Sequence, residues 1–89
     1  MEKAIAEKLQ TLMLQITSQL DDSTAFIRDN CPLQEFEAYR RVAGTLMGTI
    51  LLEVEHKLWA EHPDLKPQQM GGTYEVSPTI YLPRFYEAR

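Results

Sequence analysis

The chain has 89 residues and a mass of 10.3 kDa, which is one domain with a small core, because a chain of this size buries only about two-thirds of its unfolded surface. Apolar residues make up 44% and charged residues 25%, the balance of a folded protein rather than a disordered one. Nine Lys and Arg against thirteen Asp and Glu leave a formal charge of -4, and the basic residues are dispersed, so the phosphate-neutralising face of a nucleic-acid binder is not expected.

The first predicted element runs from about Glu2 to Asp29. Ile5, Leu9, Leu12, Met13, Ile16, Leu20 and Ile27 recur at steps that place them on one helical stripe. Ser23 and Thr24 interrupt that stripe, which makes 21–23 its weak point, where Asp22 or Ser23 would cap a second helix if the first broke. One long helix is the preferred reading. Its first ten residues alternate charge with small apolar groups, unlike the hydrophobic core of a signal peptide.

The turn is Asn30-Cys31-Pro32. Asn tolerates the left-handed conformation that ends helices, and Pro suits a first helical position, where its missing N–H has no partner to lose. Glu35 and Glu37 then favour the positive helix N-terminus. A second helix is predicted from Pro32 or Leu33 to about Glu61, stopped by Pro63. So short a turn makes the helices antiparallel, as a hairpin. Each is about 42 Å long at about 1.5 Å per residue.

The second helix has more apolar circumference than one neighbour covers. Phe36, Tyr39, Val42, Ala43, Leu46, Met47, Ile50, Leu51, Val54 and Leu58 span about half of it at about 100° per residue. Gly44, Gly48, Leu52 and Trp59 form a narrower seam opposite. Exposed apolar patches of this kind mark partner surfaces, and a second copy related by a two-fold axis is the simplest partner. The fold class predicted is therefore all-α, a long antiparallel hairpin over 1–63, pairing into a dimeric four-helix bundle.

Residues 64–89 differ. Pro67, Gly71-Gly72, Pro78 and Pro83 break helices, yet Tyr74, Val76, Ile80, Tyr81, Leu82, Phe85 and Tyr86 are too greasy for a solvated tail. An extended arm docked on its own hairpin or on the partner is expected. A strand-like piece is predicted at 73–76 or 79–82, and a short helix from Pro83.

The candidate interaction residues are Gly44, Gly48, Met47, Leu51, Leu52, Trp59, Tyr74, Tyr81 and Phe85. Two helical glycines cost about 1 kcal/mol each relative to Ala, which points to a close backbone approach at Gly44 and Gly48. The alternative is that they clear room for a bulky side chain. Trp59 is expected to clamp the arm, its indole N–H reaching a carbonyl.

Catalytic constellations are weaker. Glu53 and His56 make the Glu-x-x-His spacing of metal-binding bundles, the basis of an alternative reading as a metal- or ligand-binding bundle. A polar pair on a solvated flank explains the spacing equally. Cys31 stands at the turn, far from His56 and His62 near the other end, so thiol catalysis is not expected. Arg40 and Arg41 read as a solvated flank, with Arg40 pairing to Glu35 or Glu37. No Gly-rich phosphate loop, Ser-His-Asp set or zinc-ligand spacing is present. The uncharged stretch 42–52 is about half a membrane span, and a lone cysteine fits a reduced, cytoplasmic setting. The expectation is a non-enzymatic interaction, adaptor or regulatory module without a cofactor.

Overall fold

The computed structural model describes residues 1–88, so Arg89, the end of the arm, lies outside the described residues. Helix α1, Lys3–Asn30, is unbroken over 28 residues. The expected weak point holds because Ser23 and Thr24 each donate a hydroxyl bond to the Leu20 carbonyl, at 2.6 and 3.1 Å. This back-bonding satisfies the two hydroxyls within the helix at a small cost to it, and the Ser23–Tyr39 hydrogen bond ties the same turn to the second rod.

The turn forms differently from the expectation. Asn30 stays helical, and its side-chain amide donates to the Phe26 carbonyl at 2.8 Å. The reversal is made by two extended residues, Cys31 (φ -128°, ψ 159°) and Pro32 (φ -59°, ψ 153°). No left-handed Asn is needed, because the Cys31 N–H closes the helix on the Ile27 carbonyl at 2.9 Å.

The second rod covers residues 33–61 in three pieces: α2 Leu33–Ile50, a π-turn Leu51–Glu55, and α3 His56–Glu61. In the π-turn the His56 N–H reaches back to the Leu51 carbonyl. One extra residue in the turn shifts the phase of everything after it by about 100° relative to an unbroken α-helix. Trp59 is thereby rotated off the outer seam and inward. It joins Ala6, Leu58 and Leu65 in the core, with Leu9, Leu51, Val54 and Tyr74 packed around them. Glu55 is carried inward by the same shift and is buried.

The hairpin register is readable at both ends. Ser23 Oγ and Tyr39 Oη share a hydrogen bond of 2.7 Å. The Met1 ammonium pairs with Glu61, and the Met1 carbonyl lies 2.7 Å from His62 Nε2.

After Pro63 the chain makes three short 3₁₀ turns, Pro63–Leu65, Gln68–Met70 and Pro78–Tyr81. The expected strand is reduced to a single bridge between Pro67 and Tyr74, and no helix starts at Pro83 among the described residues. The prolines remove the donors that a ladder needs. The bridge closes because Gly72 lies against Lys66, where a Cβ would stand 2.0 Å from the Lys66 carbonyl oxygen.

The arm runs along an i, i+4 row of α1 and spreads beyond it at Ile80, whose carbonyl accepts from the Gln15 side chain at 3.0 Å. Gln10 donates to the Leu65 carbonyl at 2.7 Å. Leu14 and Ser18 border a cleft with Met70 and Tyr81. Asp22 takes the Arg84 guanidinium. Phe26 meets Phe85 and Tyr86 edge-on, at 5.6 and 5.2 Å between ring centres. Fully buried Gln10 also accepts the Trp59 indole N–H at 2.6 Å. One amide therefore joins helix, rod and arm.

Gln10→Ala orphans both the Trp59 N–H and the Leu65 carbonyl. At about 1–3 kcal/mol for each unsatisfied buried group, and about 4–8 °C per kcal/mol at this size, the melting temperature followed by circular dichroism should fall by about 10 °C or more.

Candidate functional site

The structure separates the nine candidate interaction residues into four environments. Trp59 is buried, with the His56 ring 5.6 Å away and Lys66 Nζ 5.9 Å above its own ring. It clamps the start of the arm, and its N–H finds a side-chain amide oxygen rather than a backbone carbonyl. Met47, Leu51, Tyr74 and Tyr81 are half-buried on the side where the arm lies. Leu52 and Phe85 remain exposed.

Gly44 and Gly48 are open. A Cβ at either position would meet nothing within 4 Å, so neither α1 nor the arm is the backbone that approaches them. Within this chain the stripe is vacant.

The polar candidates engage separate neighbours. Glu53 forms an i, i+4 ion pair with Lys57 at 3.4 Å, while His56 leans on Trp59. Among the described residues no three His, Cys, Asp or Glu side chains gather as a metal would require. Arg40 lies over the Phe36 ring at 5.6 Å, not against Glu35 or Glu37. A planar guanidinium one turn from an aromatic face gains a cation–π contact that an exposed carboxylate does not better. Cys31 sits at the turn, its thiol pushed up by desolvation and then by Glu35, both of which disfavour the thiolate.

Two buried carboxylates escaped the sequence reading, and their environments are opposite. Asp22 is held below the usual aspartate range, first by the Arg84 hydrogen bond. It stabilises the docked arm above the ordinary aspartate pKa of about 3.9, and that contribution is lost as pH falls. Glu55 has no such cation. Its Oε1 has no hydrogen-bond partner among the described residues, and desolvation alone pushes its carboxyl up. The folded state therefore favours protonated Glu55. Its penalty is absent below the ordinary glutamate pKa of about 4.3 and develops as pH rises toward the raised value. An acid on the polar seam of an unbroken α-helix gives no sign of burial. The phase shift hides it.

No protein family, curated protein or solved structure matches this chain. No helix among the described residues is long and apolar enough to cross a membrane. The fold itself is an all-helical hairpin with a docked arm.

Asp22→Ala frees the arm, and trypsin cleavage after Arg84, followed by mass spectrometry, should accelerate about tenfold. That corresponds to losing a charge-assisted bond of about 1.5–3 kcal/mol from an opening equilibrium. Glu55→Gln should raise the melting temperature by several degrees at pH 7, and this advantage should close as the two proteins are compared near pH 4.

Proposed function

We propose that this chain is a self-associating helical protein that works as an interaction, adaptor or regulatory module, without chemistry of its own. One observation carries the reading. On the second rod Val42, Leu46 and Leu52 are 57%, 49% and 59% exposed, although the protein has only a handful of fully buried apolar residues. A chain with so small a core gains disproportionately from covering such side chains. A second copy is the partner always at hand, and two hairpins together make a four-helix bundle.

The absence of chemistry is supported by separation. Cys31 stands at the turn, and His56 and His62 stand at the opposite end of the rod. Glu53 and His56 serve different neighbours. Acidic Glu55 is buried but has no nucleophile or base paired with it among the described residues. An adaptor needs a surface rather than a reactive pair, and a surface is what the second rod offers.

Sedimentation velocity on the full chain at micromolar concentration should give twice the 10.3 kDa chain mass. A monomer at that concentration would overturn the reading.

A further inference from the structure

We propose that in the dimer the two copies trade the distal halves of their arms, so that residues 78–88 of each chain lie on α1 of the other. The proposal rests on the self-association reading and deepens it, by naming the segment through which one copy holds the next.

In the single chain the arm lies on its own α1, and its two parts are held differently. The proximal part is anchored. Leu65 and Pro67 are fully buried, and Gln10 donates to the Leu65 carbonyl. The Tyr74 N–H donates to the Lys66 carbonyl and the Tyr74 carbonyl accepts from the Gln68 N–H, both at 2.9 Å. The distal part has no such anchor. No residue from 75 to 88 is buried, and Leu82 and Phe85 are exposed. Clefts of about 220, 340 and 360 Å³, each bordered by Tyr81, run along its seam with α1, so the seam is loosely filled compared with a protein interior. A segment with so little buried apolar contact opens at a small fraction of the cost of global unfolding.

Between the two parts lies a hinge. The N–H groups of Glu75, Val76 and Ser77 make no hydrogen bond among the described residues. Residues 75–79 span up to about 17 Å when extended, more than the diameter of a helix at about 10 Å. That is enough to cross to a neighbouring copy while the Tyr74 bonds stay closed.

The contacts of the distal part are directional. Gln15 donates to the Ile80 carbonyl at 3.0 Å, Phe26 meets Phe85 and Tyr86 edge-on, and Tyr86 donates to Asp29 at 2.8 Å. Asp22 is the most demanding member of the groove. It is 2% exposed, and the Arg84 guanidinium first, then the Phe85 and Tyr86 backbone N–H groups, hold it as a carboxylate. An open arm leaves that carboxylate without its cation, and a segment that restores the closed groove needs an arginine followed by two aromatic residues. The arm of a second copy is such a segment, matched to the groove bond for bond.

Self-association lowers the entropic cost of the trade. Once two copies are held together, each arm meets the partner's groove at an effective concentration on the order of millimolar, as it meets its own. A two-fold axis makes the trade reciprocal, so every bond lost within a chain is regained between chains. Apolar contact through Val42, Leu46 and Leu52 is non-directional. The traded arms add directional bonds that only an identical chain reproduces in full.

The test uses full-length Asp22→Ala and Arg84→Ala, with far-UV circular dichroism to check helix content. The two variants break the same ion pair from opposite sides, so neither holds it within its own chain or in its own homodimer. A mixed dimer with traded arms regains it once, between Asp22 of one variant and Arg84 of the other. Sedimentation velocity should show the mixture associating about tenfold more tightly than either variant alone, the gain expected of one charge-assisted bond. Isotope-filtered NMR on a mixture of labelled and unlabelled parent protein needs no substitution, and Phe26–Phe85 contacts should appear between chains. A mixture no tighter than its components, or Phe26–Phe85 contacts confined to one chain, would overturn the trade and leave self-association standing. A monomeric parent protein would overturn both.

Discussion

The structure depends on a one-residue phase slip in the second rod, at the π-turn Leu51–Glu55. Before it, the rod presents the face that began at Phe36. After it, the face is turned by about a quarter of a circle or slightly more, and Leu58 and Trp59 point at the start of α1. Without the slip Trp59 would lie on the outside, Gln10 would have no indole to receive, and Leu65 would have no reason to dock. The hairpin would end as two bare helices. The slip also costs something, because it draws Glu55 into a place that offers its Oε1 no partner among the described residues. A buried, unpaired carboxyl is tolerated only when the packing it accompanies outweighs its desolvation.

The arm completes what the hairpin begins, and it does so by polar pins on an apolar row. Gln10 and Asp22 stand three turns apart on α1 and hold the arm near its two ends, at Leu65 and Arg84. Between them Leu14 and Ser18 face Met70 and Tyr81. Directional bonds at the ends fix the register of a segment that has no ladder of its own, and dispersion and aromatic edges fill in the rest. Tyr86 extends the contact by donating to Asp29 at 2.8 Å. The arm also touches the neighbouring side of α1, where Gln15 donates to the Ile80 carbonyl, while Val42, Leu46 and Leu52 on the second rod stay exposed.

Much of this was legible in the residues. The 3.6 period of Ile5 through Ile27, the breaker Pro32 and the stop at Pro63 outline two antiparallel helices, and both are present. The greasy tail after Pro63 was expected to dock, since seven large apolar or aromatic side chains disfavour a solvated tail, and it does, with Leu82 and Phe85 left exposed. The site was less legible. Trp59, Met47 and Leu51 belong to an outer seam or a wide arc when an unbroken period is assumed, and the π-turn and the arm take them inside the chain. Gln10 and Asp22 are invisible to a hydrophobic pattern, because a buried polar residue is explained only by the partner that reaches it.

Local chemistry along the chain determined what depends on neighbours close in sequence: the extent of the two helical rods, the position of the reversal, and the end of regular helix at Pro63. Tertiary structure decided what depends on distant residues. It set Trp59 against Gln10, 49 positions away, chose α1 as the arm's seat, and buried Glu55. The physical reason is that a helical period records only which residues share a side. What occupies that side is settled by whichever distant group can satisfy both its shape and its hydrogen bonds.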